Sequence, residues 1–414
     1  MMTTEKRAPR AKSVAAILLL VLALAVVVVY YNGLLSQRTS SDNQTIGNLQ
    51  NTIAGLQSTN SALKAQVTSL SSTTNTTGGE PALIYSIANR SVVTVQGSEE
   101  TTTNTIFGLQ TSISTLLGSG FVTSFQNSFY VITNYHVVDG VSNLTVTFWD
   151  GNSYPASVVG TDPYSDLAVI SVAAPSTEFI PLQIVGSSPG VSVGDPVYAI
   201  GNPFGLSGSF TYGIVSQLGR TIQETTAGSF SISNIIQFTA PINPGNSGGP
   251  LLNANGDVIG ITTATVSGSQ GLGFAIPSST IVRELPSLTS TGTYDKHSYL
   301  GIGGADMTLQ LAEAMKVNTT YGVLVESVVS GGPAAKAGLK AGSTVTNIEG
   351  TQYLLGGDII VSINGTKVVN QDALSAYLEE YTVSGQTVQL GVIRGGNTIA
   401  VDILLGTRPP PPSG

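Results

Sequence analysis

The chain has 414 residues, enough for two folded domains and a separate anchor, with a net charge of -8 and charged residues at only 10%. No Lys or Arg occurs between Arg90 and Arg220, so the cationic surface that neutralises phosphates is missing and nucleic-acid binding is set aside. The absence of cysteine removes disulfide frameworks, thiolate catalysis and Cys-ligated zinc, without assigning a compartment.

Lys6, Arg7, Arg10 and Lys12 precede an uncharged apolar run from Val14 to Tyr31. At about 1.5 Å per residue this run covers roughly 27 Å, close to a hydrocarbon core of about 30 Å. Tyr30 and Tyr31 suit the far interface and the basic flank stays inside. Residues 1–12 are read as a cytoplasmic tail and 13–31 as an uncleaved signal anchor. A cleaved signal peptide is the alternative, but the run exceeds a usual h-region and no small-x-small site follows it. Sequons at Asn43, Asn75, Asn89, Asn143, Asn318 and Asn364 all fall on the outer side.

Residues 32–80 form a polar stalk in which Ile46, Leu49, Ile53, Leu56, Asn60, Leu63, Val67 and Leu70 recur at alternating spacings of three and four. Position a reads Ile, Ile, Asn, Val and position d reads Leu throughout, which predicts a coiled coil over 46–70. Gly47 and Gly55 weaken it, and a disordered stalk is the alternative. After a linker from Ser71 to Gly79, short β-type runs punctuated by Gly, Asn and Pro fill residues 81–290 and predict an antiparallel barrel or sandwich. Residues 291–408 mix strands such as Gly322 to Val328 and Asp358 to Ile363 with one clear helix, Gln371 to Tyr381. Residues 409–414 are a polyproline tail, so the fold class is mainly β.

The strongest local signal is Gly245-Asn246-Ser247-Gly248-Gly249-Pro250, set between two strands. A serine hydroxyl is a poor nucleophile, so the chemistry requires a base, a group that fixes the base, and N–H donors aimed at a developing oxyanion. Gly245 permits a turn in which its N–H and that of Ser247 converge on one point. An ordinary Gly-rich hairpin loop would look the same in isolation. The chain has two histidines, His136 after an apolar strand and His297 in the linker between domains, and His136 is the base expected for Ser247. Of Asp139, Asp150, Asp162, Asp166 and Asp195, Asp166 is preferred because it enters the apolar Leu167 to Val172 strand, whereas Asp162 and Asp195 precede proline in apparent turns.

In order and spacing, Gly118 to Val122, Thr133 to Val138, Asp166 to Val169, Gly201 to Gly205, Gly245 to Pro250 and Gly273 to Pro277 resemble the HtrA (Deg) family of serine proteases. The resemblance covers residues 81–407 and implies a chymotrypsin-like double β-barrel followed by an α+β PDZ domain. It implies His136 as general base, Asp166 as its orienting acid, Ser247 as nucleophile, and the Gly245 and Ser247 N–H groups as oxyanion hole. Tyr299-Leu300-Gly301-Ile302 resembles the PDZ carboxylate-binding loop, with three N–H groups of Leu300, Gly301 and Ile302 holding a peptide C-terminus. Thr344 to Gly356 enlarges the PDZ unit and Ser98 to Leu117 is poorly defined, which are the two departures.

Further expectations follow from the same resemblance. Pro241 stands where a trypsin-like enzyme keeps an aspartate, so a specificity pocket at Pro241 and Ile242 takes small or medium apolar side chains. The loop Gly219 to Ser233 is a candidate activation sensor with Arg220 its only cation, although Arg220 could equally be a solvated surface residue. The expected activity is endoproteolysis of unfolded or damaged extracytoplasmic proteins, with polypeptide substrates and C-terminal peptides as partners. A homotrimer is implied by the family, while β-branched residues at a with Leu at d favour two strands. No cofactor and no metal-ligand cluster is read. A chaperone-like binder and a surface adhesion protein are the competing classes, and neither needs His136, Asp166 and Ser247 together.

Overall fold

The computed structural model describes residues 10–73, 80–105, 108–186, 190–202, 208–224, 230–263 and 271–410. Outside them lie Lys6 and Arg7, most of the linker after Ser71, Pro203 to Gly205, the tip of the Gly219 to Ser233 loop and the end of the proline tail. The chain divides into two units, Met1–Gly78 and Gly79–Gly414.

In the first unit one helix, α1 (Arg10–Thr73), runs without a break through both the expected anchor and the expected coil. Gly47 and Gly55 lie inside it; each costs about 1 kcal/mol relative to alanine, too little to end so long a helix. The Ser/Thr hydroxyls that suggested a loose stalk instead donate back to the turn before: Thr52 Oγ1 to Asn48 O, Thr59 Oγ1 to Gly55 O and Ser61 Oγ to Gln57 O, each 2.9 Å. The helix is long and apolar enough to cross a membrane, with a window inside Leu20–Ser61 of mean hydropathy 1.8.

The second unit opens with α2 (Glu80–Ala88), whose Ile84 and Ala88 are buried. A closed barrel follows, built from β1 (Val92–Thr105), β2 (Gly108–Phe125), β3 (Ser128–Thr133), β4 (Ser142–Thr147), β5 (Ser153–Asp162) and β6 (Leu167–Val172) in the order β1-β2-β3-β6-β5-β4. A short helix, α3 (Tyr135–Val138), interrupts the chain after β3. The stretch from Ser98 to Leu117, poorly defined in the sequence, is the paired end of β1 and β2, with Ser98 opposite Thr115 and Gln96 opposite Leu117. The second closed barrel takes β7 (Pro196–Gly201), β8 (Ser209–Glu224), β9 (Phe230–Phe238), β10 (Pro250–Leu252), β11 (Val258–Thr263) and β12 (Gly273–Pro277) in the order β10-β11-β12-β9-β8-β7.

Strand alternation divides the burial. Val122 and Val131 fill the first barrel, while their neighbours Phe121 and Ile132 join Tyr198, Ile200, Leu252 and Ile261 of the second barrel in a shared core. That shared core also takes Ile281, Leu285 and Leu288 from α4 (Ser278–Ser290). The ends of β3 and β6 and the turn before β10 therefore meet where the two barrels join.

The remaining chain is an α+β domain. It contains β13 (Ser298–Tyr299), β14 (Ile302–Asp306), α5 (Leu309–Met315), β15 (Val323–Val328), α6 (Pro333–Lys336), β16 (Thr344–Ile348), β17 (Thr351–Leu355), β18 (Ile359–Ile363), β19 (Thr366–Lys367), α7 (Gln371–Tyr381), β20 (Thr387–Arg394), β21 (Asn397–Leu404) and β22 (Gly406–Thr407). The main sheet runs β14-β15-β18-β20-β21, with α7 lying along β14. Two short helices, α5 and α6, accompany α7 where the sequence reading had one; seven and four residues are too few to display a helical period. The enlargement from Thr344 to Gly356 is a separate hairpin, β16 paired with β17.

Candidate active site

Asp166 sits in the turn between β5 and β6 with no exposed surface and a left-handed φ of +50°. That conformation is strained for a non-glycine residue, and the surroundings fix it. Its backbone carbonyl accepts from Asn134 Nδ2 at 3.0 Å and Tyr135 N at 3.1 Å, and its carboxylate accepts from His136 N at 3.0 Å. The strand-to-helix turn bearing His136 and the turn bearing Asp166 thus hold each other.

Across that joint His136 Nδ1 lies 2.9 Å from Asp166 Oδ2 and 3.0 Å from Oδ1. Both carboxylate oxygens are acceptors, so Nδ1 carries the proton and Nε2 is the acceptor of the neutral ring. Thr263 Oγ1, at the end of β11, donates to Asp166 Oδ2 at 3.4 Å. The pair is dry, since Asp166 is inaccessible and the His136 side chain is 12% exposed.

Ser247 occupies the turn entering β10 and is buried. Gly248 N donates to Thr262 O at 2.9 Å and Thr262 Oγ1 donates to Asn246 O at 2.6 Å, which locks the turn on β11. Ser119 stitches it to the first barrel: Ser119 N donates to Ser247 O at 2.8 Å and Ser119 Oγ donates to Gly245 O at 2.6 Å. Thr133 Oγ1, three residues before His136, donates to Ser119 O at 2.7 Å. Ser247 and His136 are therefore anchored to the same residue of β2. Gly248, at φ +87°, admits no side chain, because a Cβ there would stand 2.0 Å from Ser119 O. Gly245 has φ +99°, a backbone shape closed to most residues. Pro241 is exposed beside this turn, and the half-buried Ile242 packs on the second barrel's core.

In the α+β domain Leu300 is buried and Gly301 takes φ +76°. Leu300 O accepts from Ala334 N at 2.9 Å and Gly301 O from Val329 N at 2.8 Å, so the loop's carbonyls are used on its inner side. Leu300, Gly301 and Ile302 line a cavity of about 510 Å³ between β14 and α7, which Thr221, Gln223, Ser231 and Ser233 of the second barrel also line. Arg220, solvated or sensor in the sequence reading, pairs with Asp372 of α7 at 3.5 Å while remaining 45% exposed.

Two residues set aside as base and orienting acid form a second buried pair away from Ser247. His297 is buried, with Nε2 2.6 Å from Asp162 Oδ2 and Nδ1 3.3 Å from Glu379 Oε2, and Asp162 is likewise inaccessible. Asp162, Glu284 and His297 bring three ligand-type atoms within 4.8 Å of one another, a grouping that no sequence spacing displays. Both imidazole nitrogens already face carboxylates and Arg283 pairs with Glu284 at 2.7 Å, so the group reads as an ion network rather than a metal centre. The supporting residues Ser119, Asn134 and Thr263 were also missed as site residues. Ser119 lay inside a quoted glycine motif, but nothing in the sequence ties it to Gly245.

Two closed barrels with a His–carboxylate pair and a glycine-bounded serine at their junction define a trypsin-like peptidase fold, here joined to a PDZ domain. Family models agree: residues 118–261 match the Trypsin-like peptidase domain and residues 304–405 the PDZ domain. The periplasmic serine endoprotease DegP of Salmonella typhimurium is 40% identical over 70% of this chain and 56% of its own length. Protease Do-like 1, chloroplastic, of Arabidopsis thaliana is 41% identical over 70% of this chain and 64% of its own. The chain thus spans roughly half to two thirds of these relatives. The solved HtrA-type protease AlgW with tripeptide superimposes with a TM-score of 0.59 at 32% identity, covering 80% of this chain and 98% of that one. The chain belongs to the HtrA, or DegP-like, family of serine proteases.

Proposed function

We propose that the protein is a serine endopeptidase that acts outside the cytoplasm on unfolded or damaged polypeptides. In this reading Ser247 attacks the scissile carbonyl, His136 Nε2 takes its proton and later returns it to the leaving amine, and Asp166 holds the imidazole in the reactive tautomer. The Gly245 and Ser247 N–H groups receive the oxyanion. Pro241 and Ile242 bound a pocket for small or medium apolar side chains. Leu300, Gly301 and Ile302 bind the carboxylate of a peptide C-terminus, and Arg220 reports groove occupancy through its pair with Asp372. Residues 13–31 anchor the chain in a membrane as a single pass, residues 46–70 join stalks, and three copies assemble. Support for the location comes from the periplasmic relative and from the apolar helix near the N-terminus.

The observation that carries the enzymatic reading is the buried His136–Asp166 pair anchored through Thr133 and Ser119 to the Ser247 turn. A chaperone or adhesion protein has no physical need for it. Ser247→Ala tests it: casein cleavage should vanish while the far-ultraviolet circular dichroism spectrum and melting temperature stay unchanged. Cleavage within twofold of wild type would overturn the assignment.

A further inference from the structure

The hairpin of β16 and β17 is strapped at its base to β15: Gly342 N donates to Val325 O at 3.0 Å, and Leu354 N donates to Glu326 Oε1 at 2.8 Å. Leu355 is buried with Leu324 and Ile359, and Ile348 and Tyr353 pack on the same cluster. Val323 and Val325, the neighbours of Leu324 in β15, join Leu374 of α7 in a different core. The hairpin and α7 therefore cover opposite faces of β15. A cleft of about 450 Å³ lies between the hairpin and β14, with Gly303 and Gly304 on one side, Val345, Gln352 and Tyr353 on the other, and Glu326 of β15 between them. A Cβ at Gly304 would stand 2.4 Å from Leu324 O and one at Gly303 2.5 Å from Ser327 Oγ, so β14 leaves the approach to Glu326 bare. Glu326 is half-buried, and no cation lies within ion-pair distance of it among the described residues. With Leu354 N on one oxygen, its carboxylate keeps acceptor capacity and an uncompensated charge.

Strand geometry says what reaches this carboxylate. β14 ends the sheet order β14-β15-β18-β20-β21, and its outer edge faces the groove beside α7. A peptide whose terminal carboxylate sits at the Leu300-Gly301-Ile302 loop extends along that edge as an antiparallel strand. Its last residue then lies beside Ile302 and its second-to-last beside Gly303. Directly opposed residues of two paired strands share a face. Ile302 lines the groove shared with α7, whereas Gly303 lines the hairpin cleft. The second-to-last side chain is thus sent across Gly303 toward the hairpin. Two strand spacings, together about 10 Å, separate the peptide backbone from that of β15. Long side chains alone cover most of that gap, and of these arginine and lysine end in the charge that Glu326 lacks.

We infer that the cleft under the β16–β17 hairpin is a subsite for arginine or lysine at the second-to-last position of a bound peptide. Glu326 takes the charge and the Tyr353 ring covers the stem. The inference rests on the groove being a C-terminal peptide site, and the following experiment separates the two. Full-length protein carrying Ser247→Ala, in detergent, is titrated with fluorescein-labelled decapeptide pools whose last and third-from-last positions are drawn from Leu, Val, Phe and Ala. The second-to-last position is fixed as Arg, Lys, Gln, Glu or diaminopropionate, and each pool is made as free acid and as C-terminal amide. Among the free acids, the Arg and Lys pools should bind about fivefold more tightly than the Gln pool, and the Glu pool more weakly than Gln. That preference should shrink as salt is raised. Diaminopropionate carries its ammonium on a single carbon, too short to cross Gly303, and should bind no better than Gln. Glu326→Gln, which keeps an acceptor for Leu354 N, should abolish the preference for Arg and Lys and leave the Gln pool unmoved. Equal binding of the Arg, Lys and Gln acids, or a preference that survives Glu326→Gln, would overturn the subsite and leave the groove reading standing. If no acid pool binds more tightly than its amide, both fall. Should melting show that Glu326→Gln is unfolded, the short ammonium decides, and diaminopropionate binding as tightly as Lys would count against the inference.

Discussion

His297 Nε2 meets Asp162 Oδ2 at 2.6 Å, and through that pair the segment entering the PDZ domain is tied to the turn that presents Asp166 to His136. The network spreads from there. Ser165 Oγ donates to Glu284 Oε1 at 2.8 Å, Arg283 joins Glu284 to Glu379, and Glu380 accepts from Asn234 and Ser279 at 2.7 and 2.9 Å. The end of α7 is thereby clasped to α4 and β9. Burial alone would lower the imidazole of His297, but its hydrogen bonds to Asp162 and Glu379 and their charges outweigh this and raise it to about 10. For Glu379 burial pushes upward, and the charge of Arg283 with the hydrogen bond and charge of His297 overcomes it, leaving the carboxyl at about 2. Glu284 moves well above the ordinary carboxyl range, through burial first and the charge of Asp162 second.

His297→Asn should destabilise the protein by about 3–5 kcal/mol, because it strands the buried carboxylate of Asp162 and leaves Glu379 to Arg283 alone, rather than removing a balanced pair. The cost should depend on pH. A histidine raised from 6.5 to about 10 on folding contributes fully below about 6.5 and loses its contribution as pH climbs through about 10. A glutamate lowered from 4.5 to about 2 contributes above about 4.5 and fails as pH falls through about 2. The gap in melting temperature between wild type and variant should peak between about pH 4.5 and 6.5 and shrink by pH 10. A gap that stays constant from pH 5 to 10 would refute the imidazolium.

Asp166→Asn should lower kcat/KM by about 10³- to 10⁴-fold with little change in fold. An amide placed against Nδ1 can donate to it, which moves the ring proton to Nε2 and leaves no base facing the serine. Thr263→Val, which removes a long 3.4 Å contact to the same carboxylate, should cost less than tenfold. Wild-type activity should fall on acidification, because His136 can take the proton of Ser247 only while its ring is neutral. Full turnover near pH 3.5 would exclude a histidine base.

Cleavage should follow small or medium apolar residues, because Pro241 and Ile242 offer no charge to pair with a basic side chain. Mass-spectrometric mapping of casein fragments checks this. Cuts mainly after Arg or Lys would refute it.

The sequence displayed His136, Asp166 and Ser247 because each stands in a short run whose glycines and strand ends are local properties. What holds them was not legible. The stitch from Ser119 to Gly245 spans 126 positions and the His297–Asp162 pair 135, and each exists only once the barrels, or the barrel and the PDZ domain, have docked. Asp162 before Pro163 looked like a turn, and it is one, with its carboxylate turned inward. The far end of the β1–β2 ribbon gave no period-2 signal because its sequence is polar at successive positions, and threonine-rich pairing between strands defines it instead.

The exposed seam of α1 carries the last prediction. Ile46, Leu49, Ile53 and Leu56 are 52–65% exposed on a continuous helix whose only charged residues between 32 and 73 are Arg38, Asp42 and Lys64. With so few i,i+4 ion pairs and several helix-weak Ser, Thr, Asn and Gly residues, the helix has little local support, and burying that seam against copies of itself would supply the stability the proposed coil needs in water. A parallel arrangement follows if every copy enters from the same anchored end. Asn60 at an a position should then fix register at some cost, so Asn60→Leu should raise the melting temperature of the coil while loosening its register. A 41–75 peptide should show helix by circular dichroism that grows with concentration, and cysteines placed at position 53 should cross-link neighbours in the membrane-bound protein. Absence of both, even at millimolar peptide, would remove the coiled coil and leave the heads to associate through their own surfaces.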